Sequence, residues 1–339
     1  MSSRPSPALA LWLVFGTLSA IWGSSFLFIK IGVDEGLPPF SLVTGRLAMG
    51  SLALVVMGRL MGARLPRDRS VLAKVVFLGF ANVALPFSLI TWGEQTIPSA
   101  VASILNGLVP LFTIVFAAIA LHDEPMTLNR LTGLLIGFGG AVLILARNVG
   151  PGGLAGASLS GELAVVLAAA AYAACAVYIR RHLTGRNLVD DPVRGMRPMD
   201  PIEFALLQVA SAAVFAALFA LVTEWIPAGG VVLPPTAPAW FAIAWLGVLG
   251  SAVAYLLMYR LISAWGATRA TLVTYVMPVV GIALGVAVLG ETLDARAIIG
   301  SAIVLGGILL VNSRVGQRRL FGRAPVRHLE ERLVAADEE

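Results

Sequence analysis

The chain has 339 residues, 58% of them hydrophobic and 13% charged, with a formal net charge of +5. Soluble domains carry about 25% charged residues, so a chain this apolar cannot cover itself with polar surface, and a water-soluble globule is excluded. The basic residues cluster between apolar runs, which reads as membrane topology and not as a nucleic-acid surface, and the single cysteine, Cys175, excludes an intrachain disulfide.

A helix needs about 20 apolar residues to cross the hydrocarbon core. The first run starts at Ala8, behind Arg4, and stays uncharged to Ile29, 22 residues in all. A signal-peptide core spans about 7–15 residues, so this run is read as the first spanning helix, over 9–31. Nine more follow, over 39–58, 71–92, 97–121, 128–146, 161–180, 202–223, 238–260, 267–290 and 295–313. Only the second carries a charge at its centre, Arg46. The expected units are a five-helix segment 1–147, a Gly-rich connection 148–160, a second five-helix segment 161–313 and a charged tail 314–339. The tail is expected to be disordered or a short cytoplasmic helix. The histidines, His122, His182 and His328, fall in polar connections or the tail, so neither a metal site nor a cofactor is expected.

Basic residues favour the cytoplasmic side of short loops. With a cytoplasmic N-terminus, twenty of the 24 Lys and Arg fall inside, leaving Lys30, Arg46, Arg147 and Arg296. Both termini are therefore expected in the cytoplasm.

The two segments align in order. Trp22, Ser25, Phe28 and Lys30 match Tyr172, Cys175, Tyr178 and Arg180 at a shift of 150. Pro39 and Arg46 match Pro201 and Gln208 at 162; Ser103, Asn106 and Pro110 match Thr271, Thr274 and Pro278 at 168. Glu124, Gly133, Gly139 and Gly140 match Glu291, Gly300, Gly306 and Gly307 at 167. An odd number of helices per segment makes the second enter the bilayer from the opposite side. The expected fold is an all-α membrane protein with ten transmembrane helices as two inverted five-helix repeats. Such halves can exchange conformations at nearly equal energy, which alternating access requires.

These residues resemble the EamA family of the drug/metabolite transporter superfamily. The resemblance rests on Trp22-Gly23-Ser24-Ser25-Phe26 with Lys30, on Pro39 with Arg46, on the Pro110 and Pro278 helices, on Gly161-Glu162-Leu163 and on Gly290-Glu291-Thr292. The His122-Asp123-Glu124-Pro125 turn departs from the family's usual Gly-Glu. The resemblance implies a bacterial inner-membrane carrier, often an exporter of amino acids or related metabolites, and does not fix the solute. Uptake or facilitated diffusion of the same solutes is the rival within transport. An enzyme or receptor is the rival from another class, and the apolar spans offer it no nucleophile pairs or metal ligands. The expected partners are a small-molecule substrate and the lipid bilayer, with a proton as an open choice of coupling ion and a monomer or weak homodimer as the assembly.

Candidate cavity residues follow from polarity inside apolar helices. Ser103, Asn106 and Pro110 share one helix face, and Thr271, Thr274, Tyr275 and Pro278 lie on its counterpart. They either line a cavity or pack helices through small residues. Pro110 and Pro278 are hinges or static kinks. Trp22 with Ser25, and Tyr172 with Cys175, lie a turn apart near mid-membrane, and Tyr255 and Tyr259 share a face; each aromatic stacks on a ligand or packs between helices. Trp92 and Trp225 read as interfacial anchors. Arg46 costs about 2.5–3.5 kcal/mol to insert. Either it attracts a substrate carboxylate, or it pairs with Asp34 or Glu35, or it snorkels outward. Lys30 reads as an interfacial anchor, with a role in gating as the alternative. Glu94, Glu162, Glu203, Glu224 and Glu291 all lie near helix ends, so no acid is expected at mid-membrane.

Overall fold

The computed structural model describes residues 7–121, 126–146, 157–191, 195–265, 270, 272–312 and 319–321. Among them, apolar helices follow one another as α1 (Pro7–Asp34), α2 (Pro39–Leu60), α3 (Arg69–Gly93), α4 (Ser99–Ala120) and α5 (Leu128–Leu145). Then come α6 (Ala157–His182), α7 (Pro201–Trp225), α8 (Ala237–Ile262), α9 (Val273–Leu289) and α10 (Ala295–Asn312). Eight are long and apolar enough to cross a membrane, and α9 and α10 are shorter apolar helices. The sequence starts the ninth helix at 267, whereas the described part starts at Val273; residues 266–269 and 271 lie outside the described set.

Local chemistry starts the helices where expected. Pro39 and Pro201 sit in the first turn, where a missing N–H costs nothing. Asp68 accepts from the Ser70 N–H at 2.7 Å, and Thr236 accepts from the Ala239 N–H at 3.3 Å. At the start of α7, Glu203 accepts from the Asp200 N–H at 2.8 Å.

Among the described residues four spans are irregular, α7 by a π-helical last turn over Leu221–Trp225. α3 turns π-helical over Phe80–Ala84, and α8 over Trp245–Val253. α4 breaks at Gly107 and Leu108, where the Leu108 N–H bonds back to Leu105 at 3.1 Å. The cause is Pro110, which has no N–H for the Asn106 carbonyl. Pro278 does the same to the Thr274 carbonyl inside an unbroken α9.

α1 packs against α8 and α9, and α6 packs against α3 and α4. α2 packs on α7 and α8, α7 on α2 and α3, α4 on α9, and α5 on α10. The α5–α10 contact is backbone to backbone. A Cβ on Gly133 would stand 2.7 Å from the Gly307 carbonyl oxygen, and one on Gly140 would stand 2.7 Å from that of Gly300. Glycine is required there because lipid supplies no hydrophobic drive between helices and close van der Waals packing must hold the pair.

Two short antiparallel ladders complete the chain: Val189–Asp191 with Gly195–Arg197, and Met126–Thr127 with Arg319–Phe321. The second takes a piece of the tail that the sequence reads as disordered or helical. The segment before α5 gives its backbone groups partners.

Candidate functional site

Arg46 occupies the middle of α2 and is 3% exposed, so it does not snorkel. Its guanidinium carbon stands 3.9 Å above the centroid of the Phe87 ring of α3. Nη2 donates to Ser251 Oγ of α8 at 3.5 Å, a long bond, and Nε has no hydrogen-bond partner among the described residues. Asp34, one of its expected counter-ions, pairs with Lys30 at 3.0 Å instead.

Aromatic and small polar groups gather around this cation. Trp22 Nε1 donates to the Gly250 carbonyl at 3.2 Å, and its ring meets Tyr255 edge-on at 6.4 Å between centroids. A Cβ built on Gly250 would fall 3.6 Å from Ser25 Oγ and 3.7 Å from Arg46 Nη2, so both side chains border Gly250. Tyr172 of α6 and Tyr255 of α8 lie in the same neighbourhood. Trp22, Ser25, Phe87, Tyr172 and Tyr255 are half-buried while Arg46 is fully buried. The π-helical turn of α8 makes this geometry: it lets Ser251 Oγ donate to the Leu246 carbonyl, five residues back, at 2.9 Å, while its other lone pair meets Arg46. The group is a guanidinium stacked on one aromatic face, with a donor unused among the described residues, and it suits a carboxylate joined to an apolar body.

The α4–α9 candidates divide. Ser103 donates to the Ala100 carbonyl at 2.8 Å and abuts Gly281, whose added Cβ would lie 2.5 Å from that of Ser103, so it packs helices. Asn106 is half-buried, and its Oδ1 has no partner among the described residues. Thr274, Tyr275 and Pro110 are half-buried on these two helices, and Pro278 is buried. Thr271 lies outside the described residues.

One end of the bundle holds a second polar group that sequence position does not reveal. Glu94 follows the last turn of α3 and is 0% exposed, with both carboxylate oxygens unpartnered among the described residues. Lys30 Nζ donates to the Glu94 carbonyl at 3.0 Å and pairs with Asp34. Burial pushes the Glu94 carboxyl well above the usual carboxylate range, and nearby Lys30 only partly offsets this. Glu291, before α10, accepts from the Ser99 and Ala100 N–H groups at 2.6 and 2.9 Å. Glu224 accepts from the Phe40 and Ser41 N–H groups at 2.8 and 2.7 Å. Trp225 Nε1 donates to Ser41 Oγ at 2.8 Å, which occupies the polar tip that an interfacial anchor would give to water.

Sequence reasoning missed Phe87, Ser251 and Glu94. The sequence held a signal for the first: a shift of 168, the one that aligns Ser103 with Thr271, sets Phe87 against Tyr255. Ser251 depends on the π-helical register, which no local pattern announces.

Apolar helices wrapped around a buried cation and its aromatic wall make this a multi-span membrane protein with an internal polar site. The chain belongs to the EamA-like transporter family, whose pattern it matches over residues 10–146 and 159–313. A probable terminal-alkyne amino-acid exporter from Streptantibioticus cattleyicolor is 28% identical, over 94% of this chain and 98% of that one. The uncharacterized inner membrane transporter YedA of Escherichia coli K12 is 26% identical, over 88% and 90%. A solved crystal structure shares the fold at a TM-score of 0.61 and 20% identity, covering 89% of this chain and 96% of the other.

Proposed function

We propose that this transporter is a secondary carrier that exports amino acids or related polar carboxylates across a bacterial inner membrane, with both termini in the cytoplasm. The observation that carries the reading is Arg46: a buried guanidinium stacked on Phe87, with its Nε unpartnered among the described residues. A charge kept in a helix centre at about 2.5–3.5 kcal/mol is an intramembrane functional group by default. The resemblance in sequence to a probable amino-acid exporter supports the solute class.

Alternating access draws support from the packing. Exchanging α1–α5 with α6–α10 in order turns each main helix contact into another observed one. α1 on α9 becomes α6 on α4; α1 on α8 becomes α6 on α3; α2 on α8 becomes α7 on α3. The pairs α2–α7, α4–α9 and α5–α10 map onto themselves. Gly133 against Gly307 maps onto Gly300 against Gly140. Two inverted halves, 1–147 and 161–313, joined by the outer connection 148–160, account for this pattern, with Pro110 and Pro278 as hinges where α4 crosses α9. The charged tail 314–339 belongs to neither half.

The test is flux. Purified protein in liposomes loaded with labelled amino acids releases them, and Arg46→Gln slows release at least tenfold without loss of folded protein. If wild-type protein moves no solute of this class, the reading is wrong.

A further inference from the structure

We propose that Glu94 is a proton-binding site that locks the outer end of the bundle: protonated while that end is sealed, ionised when it opens. In the proposed orientation the ends of α1 and α3, the start of α4 and the turn before α10 face outward.

The geometry is that of a carboxyl trapped by closure. Glu94 is fully buried, and neither oxygen meets a donor among the described residues. An ionised carboxylate so placed would be far less stable than in water, so the sealed state favours the neutral acid. Lys30 is the nearer cation by its influence, yet its ammonium directs two of its three N–H donors to Asp34 and to the Glu94 backbone carbonyl and none to the Glu94 carboxylate among the described residues. The charged groups acting on Glu94 are Lys30 and Asp34 from α1, Arg46 from α2 and Glu291 from the turn before α10. α6, packed along α3, carries Glu162 at its own outer end.

The residues around it seal this end. Ile97, three positions on, is 1% exposed, and Ser99 and Ala100 are held by Glu291. Parting α3 and α4 from α1 breaks the Lys30 bond to the Glu94 carbonyl and admits water to the carboxyl, where the ionised form is stable. The sealed state therefore holds one proton more than the open state, and acid on the outside favours sealing. Between the ordinary Glu value of about 4.3 and its raised value, each pH unit shifts the balance by up to about tenfold toward opening. The device is one-sided, because a shift of 168 sets Ile262 against Glu94 in the second half.

The test has two arms. The first needs no transport. Ile97→Cys and, as an exposed control, Gln95→Cys are made in the Cys175→Ala background, and their maleimide labelling rates are compared in purified protein from pH 4 to 8. The ratio Ile97→Cys to Gln95→Cys rises several-fold or more across that range, and Glu94→Gln holds it at the low acid value throughout. A flat ratio in the parent, or an unchanged slope in Glu94→Gln, overturns the proposal. The second arm rests on the carrier reading: solute flux in liposomes falls with external acid, and Glu94→Gln removes that dependence. Labelling that follows pH in a protein moving no solute leaves the proton lock standing and defeats the carrier reading alone.

Discussion

Arg46 stands over Phe87 as a planar cation on an aromatic face, and in the proposed carboxylate site shape counts as well as charge. Arg46→Lys keeps the charge but loses the fork and the stacking. Affinity for carboxylate solutes should fall about 10- to 100-fold, or about 1.4–3 kcal/mol, while the melting temperature stays close to that of the parent. Arg46→Met removes the insertion cost of about 2.5–3.5 kcal/mol; it should melt at or above the parent and bind no carboxylate. Equilibrium binding and thermal unfolding of the purified variants check both. A protein that unfolds on Arg46→Met would make the residue a structural one. Arg46 was legible because a charge stands out in an apolar helix. Phe87 was not, because one phenylalanine among fifteen looks like core. Glu94 was placed at a helix end, where it lies, but its burial was not legible: sequence gives height along a helix, and burial depends on what stands beside it.

Apolar run length made the helices legible as elements, since about 20 apolar residues leave the bilayer few alternatives. The π-helical turns of α3 and α8 were not legible, because they follow from packing against other helices and carry no residue signature. Glycine pattern is an intermediate case. Gly139 and Gly140 look alike in sequence, yet a Cβ on Gly139 meets nothing within 4 Å, and one on Gly140 meets the Gly300 carbonyl at 2.7 Å. Gly140→Val should destabilise by about 1–3 kcal/mol, as overpacking does. Gly139→Ala should be neutral or stabilise by up to about 1 kcal/mol, the helix-propensity gain of alanine over glycine. Thermal unfolding of the two variants side by side separates them; equal losses would mean that α5 and α10 do not meet through their backbones.

For the whole molecule, the polar ties sort the helices into parts that move together and parts that separate. α2 and α7 are tied at both ends: Glu224 holds Phe40 and Ser41, and Glu203 accepts from the Arg64 N–H at 2.6 Å. A pair fastened twice moves as one body. α4 and the α9–α10 turn are tied by Glu291 at the end that the proposed orientation sets outside, and Glu124, which a shift of 167 sets against it, lies outside the described residues. Opening the outer end therefore breaks the Glu291 bonds and leaves those of Glu224 intact. A hydrogen bond to a charged group contributes about 1.5–3 kcal/mol, which corresponds to about 10- to 100-fold in a two-state balance. Glu291→Ala should raise the labelling of Ile97→Cys relative to Gln95→Cys by that factor at fixed pH. Glu224→Ala should lower the melting temperature and leave the ratio unchanged, because it loosens a pair that does not part. The opposite assignment, with Glu224→Ala opening the bundle and Glu291→Ala silent, would place the moving seam between α2 and α7 and move the hinges away from Pro110 and Pro278.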